Sequence, residues 1–258
     1  MFEAKLSQNG LLRRIVEAIK DMVNNVNFEC DSNGITLKSV DQSHVAVVCL
    51  SLKAEGFDYF HCEKPITLGV KLSSLYTVLK CASNDDSVTI SCKNPKKVLS
   101  FLFEGRSSDR VSEFELKLID VISQDLNVPT QEYTAMVYLT ASEYKKIFCD
   151  MSTIGEMIQI EVLDTGIKFE SEGDIGKGSV IVLRSDEIES KKPCSVKRGV
   201  ISMFFTVKHL IMFAKATPLC KRVILRMSKG MPLLLEFKIA SNGYVRYYLA
   251  PRIIDEEH

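Results

Sequence analysis

Apolar residues recur along this chain in two rhythms that alternate from one end to the other. Around Asn9 to Asn24 the period is helical: Leu12, Ile15, Val16, Ile19 and Val23 share one face, and Arg13, Arg14, Glu17, Lys20 and Asn24 share the other. A second helical stretch runs from about Ser73 to Ala82, with Leu75, Val78 and Leu79 apolar, Lys80 polar and Ser73 as the expected N-cap. A third covers about Ser142 to Ile154, with Tyr144, Ile147, Phe148 and Met151 inward and Lys145, Lys146 and Asp150 outward. A fourth covers about Thr206 to Ala216, with Leu210, Ile211 and Phe213 inward and Lys208 and Lys215 outward, and Pro218 is expected to stop it.

Between the helices the period drops to two. Short alternating runs predict strands at Phe2 to Leu6, Ile35 to Leu37, Val45 to Leu52, Val88 to Cys92, Val98 to Phe103 and Val111 to Leu118. The second half gives Met157 to Leu163, Ile167 to Ser171, Ser179 to Leu183, Val200 to Phe205, Val223 to Met227, Leu233 to Ile239 and Val245 to Leu249. Turn pairs separate them: Asn33-Gly34, Asn94-Pro95, Thr165-Gly166, Lys229-Gly230 and Asn242-Gly243.

The chain also repeats itself. Asp31 to Ser39 recurs as Asp164 to Ser171, with Gly34 matching Gly166, and Arg13-Arg14-Ile15 recurs as Lys145-Lys146-Ile147. Leu75, Lys80 and Val88 to Ile90 correspond to Leu210, Lys215 and Val223 to Leu225. A self-repeating chain of this length reads as two similar domains of roughly 120–130 residues, each made of two helix-plus-sheet units, an α+β class. Residues 117–133 break the pattern, because Val121, Ile122, Leu126 and Val128 fit no period and Pro129 interrupts them. The expected division is an N-terminal domain over 1–117, a surface connector over 118–134 and a C-terminal domain over 135–258. Ser185 to Gly199 is predicted as a mobile charged loop.

Composition narrows the class. Apolar content of 46% and charged content of 26% fit a globular protein, no apolar run reaches membrane-spanning length, and Glu3 and Lys5 between Phe2 and Leu6 suggest a strand rather than an export signal. The net charge of zero argues against a generic nucleic-acid coat. The eight cysteines, Cys30, Cys49, Cys62, Cys81, Cys92, Cys149, Cys194 and Cys220, are never closer than 11 residues, so no CxxC pair exists, and reduced thiols are expected. No phosphate-binding loop, dinucleotide fingerprint, HExxH or GxSxG is present. His44, His61, His209 and His258 lack metal-ligand spacing, and Asp85-Asp86 and Asp255-Glu256-Glu257 read as solvated surface. No catalytic residue, metal or cofactor is expected, although a site assembled from scattered residues is a competing reading from a different class.

Lysine and arginine on a helix face are ordinarily solvated. Four helices carrying them at repeat-related positions suit something more specific. If the repeats are pseudo-symmetric, the basic faces make a positive surface on a neutral protein, fitted to a polyanion backbone without reading bases.

Several collinear stretches carry a resemblance. They are Met1-Phe-Glu-Ala4, Val40-Asp-Gln-Ser-His44-Val45, Glu55-Gly-Phe57, Gly69-Val70, Leu79-Lys-Cys-Ala82, Pro129-Thr-Gln-Glu-Tyr133, Lys215-Ala-Thr-Pro-Leu219 and Tyr247-Tyr-Leu-Ala-Pro251. Over essentially the whole chain this resembles the proliferating cell nuclear antigen family, the eukaryotic DNA sliding clamps. The resemblance implies the DNA clamp fold closed as a homotrimeric ring. In such a ring, helices line the hole for duplex DNA, and a separate ATP-dependent loader opens it. It implies a nuclear processivity factor and scaffold in DNA replication and repair, whose partners are double-stranded DNA, itself, DNA polymerases and other proteins with a clamp-binding peptide. A subunit of a heterotrimeric checkpoint clamp is the nearest alternative.

The resemblance also assigns residues. Arg13, Arg14, Lys20, Lys80, Arg110, Lys146, Lys208 and Lys215 would face DNA. Val40, His44, Val45, Val47, Leu126, Val128, Pro129, Pro232, Tyr248, Ala250, Pro251 and Ile253 would form the partner-peptide pocket. Cys81, Arg110, Phe114, Leu116, Asp150, Met151, Ile154, Lys177, Gly178 and Val180 would meet at the subunit junction, the strand Arg110 to Lys117 pairing with the neighbour's Lys177 to Leu183. Three departures stand out. Asp164 occupies the position where many members carry a modifiable lysine, which leaves Lys168 as a candidate. Cys149 and Thr77 replace basic residues, and Val40 replaces a longer side chain at the pocket edge.

Overall fold

The two sequence rhythms become antiparallel sheets and short helices. The structure is a computed structural model that describes residues 1–93, 97–105, 110–122, 126, 132–183 and 201–253. The Asn94-Pro95 turn, Val128, Pro129, Cys194, the loop over 185–199 and the acidic tail with His258 lie outside the described residues. The chain divides into two compact units, Met1–Asn127 with Lys238–Val245, and Val128–Phe237 with Arg246–His258.

In the first unit β1 (Phe2–Leu6) leads into α1 (Asn9–Ile19), then β2 (Asn25–Asp31), β3 (Gly34–Val40), β4 (Ala46–Lys53), β5 (Tyr59–Cys62) and β6 (Ile66–Lys71). Helix α2 (Leu72–Leu79), β7 (Ser87–Cys92), β8 (Val98–Glu104) and β9 (Val111–Lys117) complete it. One antiparallel sheet has the order β5-β1-β7-β8-β9, and β4-β3-β2-β6 run side by side in another. The alternation is literal: β1 buries Phe2, Ala4 and Leu6, and β7 buries Val88, Ile90 and Cys92. Both helices pack their apolar faces inward. Burying Ile15, Val16 and Ile19 contributes about 1.5–3 kcal/mol each. Asn9 locks the pair, its side-chain amide donating to the carbonyls of Leu79 at 2.8 Å and Ser83 at 3.3 Å.

The second half of the chain repeats the plan with β10 (Ala135–Thr140), α3 (Ala141–Ile154), β11 (Met157–Leu163), β12 (Gly166–Gly173), β13 (Gly176–Leu183), β14 (Ile201–Thr206), α4 (Val207–Phe213), β15 (Arg222–Met227), β16 (Leu233–Ile239) and β17 (Gly243–Leu249). Its strands run β13-β12-β11-β14 and β10-β15-β16-β17. Aromatic rings fill its core. Phe213 stacks on Tyr247 at 4.3 Å, Tyr144 lies 4.5 Å from Phe148, and the Tyr144 hydroxyl donates to the Leu210 carbonyl at 2.9 Å.

Three helix boundaries differ from expectation. Helix α1 ends at Ile19, a turn early, because Asn25 and Val26 are drawn into strand pairing with Lys71 and Val70 of β6. Helix α2 starts from Lys71 with no side-chain cap, and Ser73 lies inside its first turn. Helix α4 gives way after Phe213 to a 3-10 segment, Ala214–Leu219, which carries Pro218 within it rather than beyond it. Strands β2, β5, β6 and β10 are not among the elements that the sequence patterns predict. In β2 the asparagines and Glu29 hide a strand that pairing on both sides imposes.

The internal repeat has a structural counterpart. Gly34 and Gly166 open β3 and β12 with φ of +142° and +158°. A methyl group on Gly34 would lie 2.0 Å from the Leu52 carbonyl oxygen, and one on Gly166 2.1 Å from that of Val182. Both hairpins therefore require glycine at the point where the next strand crosses.

Candidate functional site

The basic residues of the first unit gather on the outward side of the α1–α2 pair. Arg14 and Lys80 are exposed, and Arg13 and Lys20 half-buried. The Arg14 Nε donates to the Gly10 carbonyl at 3.1 Å, which lays the guanidinium along its own helix. Lys20 pairs with Asp21 at 2.9 Å. Tyr76, which the sequence patterns do not mark, sits among them. Its ring centroid is 4.9 Å from Lys20 Nζ and 5.7 Å from Lys80 Nζ, and its hydroxyl donates to Glu17 at 3.0 Å. Partial burial, then the Glu17 contact, raise its phenol above the ordinary value. The i, i+4 spacing of Tyr76 and Lys80 was the available signal. Thr77 donates back to the Ser73 carbonyl at 2.9 Å and supplies no charge. Arg110 stands apart from this group just before β9, its Nε bonded to Ser112 Oγ at 3.1 Å.

In the second unit Lys145, Lys146 and Cys149 are exposed on α3, Lys208 on α4 and Lys215 on the 3-10 segment that follows. A capping box starts α3: Thr140 Oγ1 accepts from the Glu143 N–H at 3.1 Å, and Glu143 accepts from the Thr140 N–H at 3.2 Å. The helix thus begins at a fixed residue, which sets the direction in which Lys146 and Cys149 project.

Beside the start of the connector the first unit holds a groove of about 510 Å³. Val40, Asp41, Gln42, His44 and Leu126 line it together with Asn24 to Asn27, Val121 and Ile122. Val45 and Val47 are half-buried nearby in sequence, with Val47 paired to Val40, but they do not line it. The loop that presents His44 is wound on one carboxylate. Asp41 accepts from the N–H groups of Ser43 (3.1 Å), Val45 (2.8 Å) and Ala46 (2.7 Å) and from the Ser43 hydroxyl. Burial pushes its pKa up, but these four hydrogen bonds outweigh it and hold the carboxyl at about 2. The same winding puts His44 at φ +56°.

The second unit's share of the assigned pocket is arranged separately. Tyr248 is buried, Pro232 and Pro251 are half-buried, and Ala250 and Ile253 are exposed. The Tyr133 hydroxyl donates to the Pro232 carbonyl at 3.1 Å, and burial pushes that phenol up to about 12. The Arg252 N–H donates to the Phe204 carbonyl at 2.8 Å and ties the tail to β14.

Two of the outer strands carry the residues assigned to the junction. Strand β9 ends the first unit's five-stranded sheet, and β13 ends the second unit's four-stranded one. Phe114 and Leu116 are half-buried on β9, with Phe114 edge-on to Phe103 at 5.8 Å, while Val111 is 63% exposed. On β13, Gly178 and Val180 are half-buried, Lys177 is exposed, and Ile181 and Leu183 are 51% and 69% exposed. Gly178 has Ile154 and Met151 of α3 against it, so these three assigned residues come together, with Asp150 exposed on the same helix. Cys81 is exposed just after α2.

Asp164 is exposed in the turn between β11 and β12. Lys168 is held by Glu170 at 2.6 Å, and Lys177 reaches the same carboxylate at 2.5 Å. Among the described residues no cluster of three His, Cys, Asp or Glu could hold a metal ion. Burial raises the thiols of Cys30 and Cys62 and brings Cys220 to about 11, the reverse of an activated nucleophile. No helix, among the described residues, is long and apolar enough to cross a membrane.

Comparison with known proteins finds two family domains in the chain. Residues 1–127 match the family model described as proliferating cell nuclear antigen, N-terminal domain, and residues 127–252 match its C-terminal domain. Proliferating cell nuclear antigen of Chaetomium thermophilum is 40% identical over 266 aligned positions, which cover both chains completely.

Proposed function

The chain belongs to the proliferating cell nuclear antigen family, and from that premise we propose how its own residues serve a DNA sliding clamp. It is a processivity factor of DNA replication and repair that binds duplex DNA, itself, DNA polymerases and other proteins with clamp-binding peptides. Clamps of this family are not enzymes, and in our reading this chain too has no catalysis of its own and works in the nucleus.

The observation that carries the reading is the pair of outer strands, β9 and β13. Each ends its sheet with half-buried apolar side chains on the side of a helix. Edges of that kind invite pairing, and closure into a ring removes them. In our reading β9 of one chain pairs with β13 of the next, three times over. Cys81, Phe114 and Leu116 meet Met151, Ile154, Gly178 and Val180 at each junction, with Arg110, Asp150 and Lys177 as the charged surround.

Arg13, Arg14, Lys20 and Lys80 of the first unit, Lys146, Lys208 and Lys215 of the second, and Arg110 near the junction then contact phosphates. Each neutralised phosphate releases about 0.9 counterions. Such contacts carry no sequence information, which suits a protein that must slide. The groove at Val40, His44 and Leu126 takes part of a partner's peptide, as a concave surface suited to a side-chain anchor. The second unit's Pro232, Tyr248, Ala250, Pro251 and Ile253, with Val128 and Pro129, keep their assignment to partner binding by resemblance.

Native mass spectrometry tests closure. The reading expects three times the 29.0 kDa chain mass. A stable single chain at every concentration would overturn it, and a trimer formed only with two different partner chains would favour a checkpoint clamp.

A further inference from the structure

The α1–α2 surface contains an aromatic ring with a lysine from each helix over it. Lys20, the C-cap of α1, and Lys80, the C-cap of α2, lie 4.9 Å and 5.7 Å from the centroid of Tyr76. The Tyr76 hydroxyl bonds Glu17 of α1 at 3.0 Å, so the ring is fixed between the two helices. Arg13 is close enough to act on the phenol, and Asp21 pairs with Lys20 at 2.9 Å.

We propose that Tyr76 is a positioning residue for DNA contact: its ring gathers the ammonium groups of Lys20 and Lys80 into one phosphate-binding pair. The proposal rests on the reading that α1 and α2 face duplex DNA. Lysine is a compact charge on a flexible stem, and much of its side-chain freedom is lost when it grips an anion. The ring itself uses up no N–H donor: Lys20 gives one of its three to Asp21, and the others, like those of Lys80, remain usable by a phosphate oxygen. Two lysines ordered this way bind a phosphate with less entropy still to lose. The neighbouring Thr77 stands where the family resemblance puts a basic residue, and its hydroxyl donates to the Ser73 carbonyl of its own helix at 2.9 Å. Ordering of two existing charges by Tyr76 offsets the charge missing there.

The test uses the full-length protein and a short labelled duplex, with binding read by fluorescence anisotropy across a salt series. Tyr76→Leu and Tyr76→Ser remove the ring, and Tyr76→Phe keeps it. Loss of the ring should weaken binding about threefold to tenfold, in line with contacts to two cations, while Tyr76→Phe stays within about twofold. Lys20→Ala should weaken the native protein but add little on top of Tyr76→Leu, a coupling that a merely structural tyrosine would not show. Oligomeric mass and thermal midpoint should not move. Native binding by Tyr76→Leu and Tyr76→Ser, or strict additivity with Lys20→Ala, would overturn the proposal. If the native protein itself bound no duplex and Lys146→Ala changed nothing, the clamp reading would fail first and the proposal with it.

Discussion

The side-chain amide of Asn27 donates to the carbonyl of Val121 at 3.0 Å, which tacks the start of the connector onto β2. Two backbone bonds reinforce the seam, from Ile119 N–H to the Gly69 carbonyl at 2.9 Å and from Leu118 N–H to the Lys97 carbonyl at 3.0 Å. Gly69 permits the approach, since a methyl group there would lie 1.9 Å from the Ile119 carbonyl oxygen. The seam fixes one wall of the groove that holds Val40, His44 and Leu126. Asn27→Leu should therefore weaken a clamp-binding peptide by about fivefold, one net hydrogen bond's worth. Gly69→Ala, which must displace the connector, should weaken it more. Titration calorimetry with one peptide against both variants measures this, and equal affinities would break the link between seam and groove.

The Asp41 carboxylate should make that same loop acid-labile. Its folded value of about 2 lies below the ordinary 3.8, so its contribution is complete above about pH 4 and is lost as pH falls through about 2. Reduced for solvent screening of the part-buried carboxylate, the contribution is on the order of 1 kcal/mol. Asp41→Asn should flatten the dependence of the urea midpoint on pH across this window. A slope identical to that of the native protein would contradict the assignment.

Gly34 and Gly166 make a matched pair of predictions. Alanine at either position combines an unfavourable φ with a backbone clash near 2 Å. Each substitution should cost about 2–4 kcal/mol, well above the usual surface change. Chemical denaturation of the two variants compares the repeats directly.

On the outer strand β13, Val180 is half-buried in the single chain. Val180→Asp should leave each chain folded yet bury a carboxylate at the proposed junction, a cost of several kcal/mol. Sedimentation at micromolar concentration should show single chains with native circular dichroism. A persistent trimer would move the junction elsewhere.

Restoring a charge at Thr77 tests the electrostatic reading. Thr77→Lys should tighten duplex binding and steepen the slope of log K against log salt by about 0.9 for one added phosphate contact. An unchanged slope would mean that the face of α2 does not meet the backbone.

Periodicity exposed most of this fold. The inward faces of α1 and α3 bury the residues that the helical spacing names, and β11 and β16 run between the predicted ends. It failed where context overrides composition. Strand β2 is held by neighbours on both sides rather than by its Asn-rich sequence, and β10 (Ala-Met-Val-Tyr-Leu-Thr) mixes helix formers into an alternating burial. The basic helix faces were visible residue by residue. Tyr76 was not, because the cation it gathers from α1 is distant in sequence. The Asp41 winding was equally hidden, since four donors converging on one carboxylate leave no periodic trace.

Retention on DNA is the most direct test of the clamp itself. The protein, loaded by its ATP-dependent loader onto a nicked circular duplex, should stay bound through a high-salt wash that screens every phosphate contact, because a closed ring is held by topology. A single cut that linearises the circle should then release it within the time needed to slide to an end. Loss from the intact circle in salt, or equal retention on circular and linear DNA, would contradict the account.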